Sequence, residues 1–297
     1  MEKFSSWRDK GTGISPFMPV PLPLSQEKSA FKRTLLSVVK VPLFIIKLPF
    51  FILFTLAYYI TSLKPLANFV FFVLFGFKNI DFSVEGVKKS NIDVINKNKP
   101  SPNDIIVANY SSPIDGLIYA LVANTYNWHN VKFLVPNQSG ELFEYSLWSL
   151  VNHSFDNSVS GSKVESLSSY KNKVVFLLLE GTTSNNKALL PFVPLSPNYN
   201  FDGFAVKTLV SKISPGYLTM PIPVSKLGYL FELLTNLNKL TLNYIKLKCY
   251  KFDKFEVVEL RKTFALNSLN SIDKNLNIAE KQKFVAYYKN HDVKKTD

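Results

Sequence analysis

An α/β layer fold is predicted for residues 79–297, because short strand-like apolar runs alternate with longer runs of helical period. Two of the strand-like runs, 104–108 and 174–179, are almost continuously apolar and end abruptly in polar turns rich in Gly, Ser, Thr and Asn. A crowding of apolar residues between 41 and 77 further predicts a membrane-embedded element ahead of the domain. The chain therefore divides into a polar segment, 1–30, a membrane anchor, 31–78, and the α/β domain, 79–297.

The polar segment has no charged start followed by an apolar core and a small-residue cleavage site, so it does not read as a secretory signal. Trp7 and Phe17 could make it an interfacial anchor, and a disordered tail is the other reading. In the anchor, the run 41–63 is just long enough for a bilayer, which takes about 20 apolar residues, whereas 66–77 is too short alone. Pro42, Pro49 and Pro65 favour a bent or hairpin element over a true span or a buried helix pair. Basic residues flank both sides, which by the positive-inside tendency keeps both ends cytosolic.

In the domain, strands are expected at 81–87, 104–108, 131–135, 174–179, 217–223 and 243–250. Helices are expected at 113–124, 141–151, 204–212, 227–237 and 279–289. The Asn- and Ser-rich stretch 151–169 reads as a loop or a short helix pair.

Composition narrows the function classes. A single cysteine, Cys249, excludes an intrachain disulfide framework, and no metal-ligand spacing is present. Sequons begin at Asn109, Asn137 and Asn152, the first inside the most motif-like turn, so a cytosolic face suits the domain. The net charge of +13 comes mostly from scattered lysines, without a recognisable nucleic-acid module. Anionic lipid headgroups or a polyanionic co-substrate fit it better than nucleic acid.

The chemistry gathers in two turns. The first reads Asn109-Tyr110-Ser111-Ser112-Pro113-Ile114-Asp115 after the run 104–108; the second reads Glu180-Gly181-Thr182-Thr183-Ser184 after the run 174–179. On residue types alone, Ser112 before Pro113 is a good helix cap, with Asp115 favouring the helix dipole. The pairing of both turns, in this order and after strands, resembles the glycerolipid (lysophosphatidic acid) acyltransferases, whose first motif is Asn-His-x-Ser-x-x-Asp and whose third is a strand ending in Glu-Gly-Thr. The opening residues 1–17 and the continuation Leu190-Pro191-Phe192 resemble the fungal lysophosphatidic acid:oleoyl-CoA acyltransferase branch. In place of the motif histidine, five positions before Asp115, stands Tyr110.

The resemblance implies a glycerolipid-acyltransferase-like mixed sheet flanked by helices and preceded by a membrane-embedded helical hairpin. It implies transfer of an acyl group from acyl-CoA, a co-substrate, to a lysophospholipid at the endoplasmic reticulum or lipid droplet surface, with oleoyl-CoA and lysophosphatidic acid first and neither metal nor cofactor. Tyr110, Ser112 and Asp115 would organise the reacting centre. Asn109, Glu180, Gly181, Thr182, Thr183 and Ser184 would meet the acceptor, and Pro221 and Pro223 would line the acyl channel.

The family's arginines are missing after Thr182 and throughout 133–160, which leaves Lys187 or Lys207 as stand-ins. Imidazole suits a general base because its pKa lies near working pH, whereas a phenol near 10 is almost wholly protonated there. Three readings follow: Tyr110 as a depressed-pKa base or positioner, a base from elsewhere, or a non-catalytic lipid- or acyl-CoA-binding copy of the fold. His129, His153 and His291 are the substitutes. Asn152-His153-Ser154-Phe155-Asp156 imitates the motif with its aspartate at the wrong spacing, so a surface or capping role is its default.

Overall fold

The computed structural model describes residues 2–22, 29–156, 160–219, 225–236 and 243–292. Helix α1, Ala30–Thr61, runs unbroken through Pro42 and Pro49. It stops where Ser62 takes a left-handed backbone (φ 58°) and its amide caps the Tyr58 carbonyl at 2.9 Å. Pro65, at the start of helix α2 (Lys64–Asn68), begins the return leg, which a π turn extends through Phe69–Leu74. Phe54 stacks on Phe69 at 4.3 Å, Phe51 packs on Phe75, and Lys47 Nζ donates to the Leu74 carbonyl at 2.7 Å. The two legs therefore form the expected helical hairpin, and their roles are unequal. The return leg buries Ala67, Val70, Phe71 and Leu74 in the domain core, while α1 leaves one apolar face uncovered.

The domain opens with strand β1 (Asn79–Val84), a short helix α3 (Ile92–Lys97) and strand β2 (Asp104–Ala108). Helix α4 (Asp115–Val122) leads to β3 (Val131–Pro136), β4 (Leu142–Tyr145), helix α5 (Leu147–Asp156), and strands β5 (Ser162–Lys163), β6 (Val174–Leu177), β7 (Ala188–Leu189) and β8 (Ala205–Ser214). Helix α6 (Lys226–Leu234), β9 (Tyr244–Phe252), α7 (Val257–Leu266), β10 (Asn270–Ser271) and α8 (Ile278–Asp292) complete it.

Among the described residues the main sheet has the order β1-β9-β8-β2-β6-β3-β4-β5. Pairing is parallel from β8 through β2 and β6 to β3, and antiparallel between β8 and β9 on one side and from β3 through β4 to β5 on the other. Strand β1 closes the edge in parallel with β9. Strand β2 shows why its run is continuously apolar. Ile106 and Ala108 enter the core under the hairpin, α4 and α5, whereas Ile105 and Val107 enter the core under α7.

Two expected helices are replaced. Residues 205–214 form a central strand, because Val206, Thr208, Val210 and Ile213 are β-branched and six consecutive positions are buried. Within 141–151, Leu142–Tyr145 pairs with β3, and the Ser146 hydroxyl then accepts from the Ser149 amide (3.2 Å), so the helix starts later and runs to Asp156. The strand expected at 217–223 begins as a 3-10 turn at Gly216–Leu218, and its remainder from 220 lies outside the described residues.

The polar N-terminal segment docks on the domain. Phe17 is fully buried against Phe284, and the Trp7 indole donates to Glu280 Oε2 at 3.2 Å. Asp9 accepts from the Thr12 amide and from the Asp273 amide (2.6 and 2.9 Å).

Candidate active site

The carboxyl ends of the adjacent parallel strands β2 and β6 bring both motif turns together, where ligands of open α/β sheets bind. The Ser184 amide donates to the Tyr110 carbonyl at 2.9 Å. Glu180 ties the same loops: Oε1 accepts from the Tyr110 amide and Oε2 from the Leu190 amide, both at 2.8 Å. Asn109 anchors the first turn to β8, its Nδ2 donating to the Ser211 carbonyl (3.0 Å) and its Oδ1 accepting from the Ser211 amide (2.7 Å).

Asp115 turns back over its own loop. Its Oδ2 accepts from the amides of Ser111 (2.6 Å) and Ser112 (2.8 Å), and its Oδ1 is buried without a hydrogen-bond partner among the described residues. Burial pushes the Asp115 carboxyl up to about 7 and that of Glu180 up to about 8, each against backbone hydrogen bonds that favour the ion. The Ser112 hydroxyl donates to the Leu218 carbonyl (2.7 Å) and lies 3.0 Å from the Tyr229 hydroxyl.

Tyr110 does not become a depressed-pKa base. Its phenol is fully buried, donates to the Leu150 carbonyl at 3.1 Å, and is held well above 10, first by burial and then by the negative charge of Asp115. Glu180, Thr182, Thr183 and Ser184 are likewise buried, and both Glu180 oxygens accept from backbone amides.

Gly181, in contrast, borders a cavity with a φ of +66°. A Cβ there would lie 2.4 Å from Ile278 Cδ1 and 2.9 Å from the Pro136 carbonyl oxygen. Gly181→Ala is expected to cost about 1–3 kcal/mol, the usual range for overpacking, read as a lowered thermal midpoint.

Of the two proposed stand-in cations, Lys207 is engaged away from the turns. Lys207 pairs with Asp104 at the opposite end of β2, and Lys187 is exposed. The structure supplies another: Lys281 of α8 is fully buried, donates to the Thr183 carbonyl (2.7 Å) and hydroxyl, and is pushed down to about 7 by burial. Spacing carried its signal, since Ile278, Lys281 and Phe284 share one helix face. The surface role expected of His153 does not hold either. It is 4% exposed and lies beside Tyr110, on a part of α5 beyond the helix expected at 141–151. His129 is exposed, and Pro221 and Pro223 lie outside the described residues.

Next to this centre is an apolar cavity of about 350 Å³. Pro113, Ile114 and Leu117 of the first motif and its helix form one wall; Phe51, Val70, Val151 and Phe155 face them.

The chain is 31% identical to lysophosphatidic acid:oleoyl-CoA acyltransferase 1 of Saccharomyces cerevisiae over 196 residues, 65% of this chain and 61% of the yeast protein. It is 28% identical over 240 residues to a Schizosaccharomyces pombe protein whose name provisionally assigns the same activity, covering 75% of this chain and 77% of that one. The match thus spans less than two thirds of the first relative's length. No protein-family model matches the chain, and no solved structure does.

Proposed function

We infer that this chain, a homologue of the fungal lysophosphatidic acid:oleoyl-CoA acyltransferases, transfers an acyl group from acyl-CoA to the free hydroxyl of a lysophospholipid. Lysophosphatidic acid is the first acceptor to consider, with phosphatidic acid as product, and oleoyl-CoA the first donor. The observation that carries this reading is the apolar cavity walled by the helix that begins at the first motif. A fatty acyl chain laid there has its carbonyl end at the motif turns, and enclosure of the reacting atoms supplies positioning, which can lower a barrier by several kcal/mol, of the order of 7 or more in well-oriented cases.

Membrane attachment, in this reading, rests on α1. Its inner face is fixed to protein along most of its length by the buried Lys40–Glu232 ion pair (2.6 Å), Phe44 on Phe231, and Tyr59 beside Trp148. Its outer face exposes Ile45, Ile52, Leu53, Leu56 and Ile60. Although Thr34–Thr61 is long enough to cross a bilayer, a helix with one face on protein and the other apolar and free suits a position in the plane of one leaflet. So embedded, it would bring the cavity mouth to the lipid surface of the endoplasmic reticulum or a droplet, where lysophospholipid is delivered.

Acyl transfer by the purified, detergent-solubilised protein, from labelled oleoyl-CoA to lysophosphatidic acid, tests the function. Labelled phosphatidic acid is expected. Leu117→Trp, which fills the cavity, is expected to reduce oleoyl transfer at least about tenfold relative to decanoyl transfer. Acyl-CoA binding without turnover on any lysophospholipid would favour the binding-protein reading, which the replacement of histidine by a buried phenol supports.

A further inference from the structure

His153 is the one imidazole buried beside Tyr110 among the described residues. The Tyr110 hydroxyl has a single hydrogen, which goes to the Leu150 carbonyl at 3.1 Å. With that hydrogen on Leu150, the same oxygen would accept from His153 Nδ1, 3.3 Å away, and the tautomer matching this arrangement carries its proton on Nδ1. The two rings lie nearly parallel, 14° apart with centroids separated by 5.8 Å, and Tyr145 packs on the imidazole from β4.

This leaves Nε2 with a lone pair and, among the described residues, no hydrogen-bond partner. The ring borders a cavity of about 270 Å³ whose wall includes Asn137, Gln138, Ser139, Gly181 and Gln282. An imidazole held by one nitrogen at the wall of a cavity of mixed lining, where Val135, Pro136, Phe143 and Ile278 stand beside the polar side chains, has the arrangement of a general base with its positioning partner.

We propose that His153, delivered from α5, is the general base of the acyl transfer, with Tyr110 as its positioning residue, and that the cavity beside it takes the lysophospholipid's glycerol end, met by Asn137, Gln138, Ser139 and Gln282. In the step, Nε2 accepts the proton of the acceptor hydroxyl while that oxygen attacks the thioester carbonyl carbon of acyl-CoA. The C–O bond forms, the C–S bond breaks, and the imidazolium returns the proton to the departing CoA sulfur. This rests on the acyltransferase reading above.

Charged and titratable groups face His153 from every side: Tyr110 from the loop after β2, Tyr145 from β4, Asp156 from its own helix and Lys281 from α8. Burial first, and then Lys281, lower its pKa to about 4, opposed by Asp156. The imidazole is therefore neutral at neutral pH, and the acid limb of kcat/KM is expected below about pH 5 rather than near the ordinary value of about 6.5.

The experiment is steady-state acyl transfer by the full chain and by His153→Gln, with His153→Gly assayed with and without added imidazole. Expected is a loss on the order of 10²-fold or more in kcat for His153→Gln, with KM changed less than about threefold, and partial recovery of His153→Gly by imidazole. Should either variant unfold, diethyl pyrocarbonate treatment of a His129→Asn, His291→Asn background supplies the same information. Inactivation blocked by lysophosphatidic acid is expected; full activity with His153 modified would overturn the proposal. An active wild type alongside His153→Gln within about threefold of it would sink the base assignment alone. A wild type with no turnover on any lysophospholipid would remove the acyltransferase reading and this proposal with it.

Discussion

Asp115→Ala is expected to lower stability by about 2–5 kcal/mol, besides removing activity, because it strands two buried amides, Ser111 and Ser112, each costing about 1–3 kcal/mol when unpaired. Denaturant unfolding followed by tryptophan fluorescence in detergent measures it. The loss should vary with pH. The carboxyl is raised from its ordinary 3.8 to about 7 in the fold, so the folded state holds the proton more tightly. Its contribution is fully present below about pH 4 and fades as pH rises through about 7. The gap between wild type and Asp115→Ala is therefore expected to be wider at about pH 5 than at about pH 8. A gap that widens with pH would mean that a positive partner stabilises the native carboxylate.

The triple substitution Ile45→Asp, Ile52→Asp, Leu56→Asp is expected to release the chain from lipid vesicles while leaving the domain folded. All three side chains stand on the uncovered face of α1, and burying each in lipid is worth about 1.5–3 kcal/mol. Together they should weaken partitioning by on the order of 10³-fold or more, read by vesicle co-sedimentation. The inner-face contacts of Lys40, Phe44 and Phe54 are untouched, so the thermal midpoint of the released protein should change little. A chain that still pelleted with vesicles would place the membrane contact on another element.

The sheet centre was legible because β2, β3 and β6 are apolar runs bounded by polar turns, and 104–108 is a strand to the residue. Residues 205–214 were not, because Lys207 and Ser211 interrupt the apolar run at helical spacing; their strand state depends on β2 and β9 lying on either side. For the hairpin, sequence hydropathy conveys length and apolarity but does not say which leg faces protein. Phe54 and Phe71 read alike as letters, yet Phe71 is fully buried in the core and Phe54 only partly so.

Motif order led to the expectation that the turn from Asn109 to Asp115 and the turn from Glu180 to Ser184 lie together, and the fold brings them side by side. How deeply each side chain is buried was not legible, because that depends on elements distant in sequence. His153 was named among the substitutes but expected at the surface or in a cap, because a lone histidine in an imperfect motif carries no local signal of burial. Its meaning depends on a phenol distant in sequence.

The N-terminal segment gives the second motif a boundary condition set from both ends of the chain. The Asn185 side chain donates to the carbonyls of Ser15 and Met18 (2.8 and 2.9 Å), its amide reaches Pro16, and Lys281 holds Thr183 from the other side. Residues that a reader of the sequence would discard as leader and tail thus act as the two jaws of a clamp on the motif loop. Trimming either one to obtain a tidier protein would alter the shape of the centre itself.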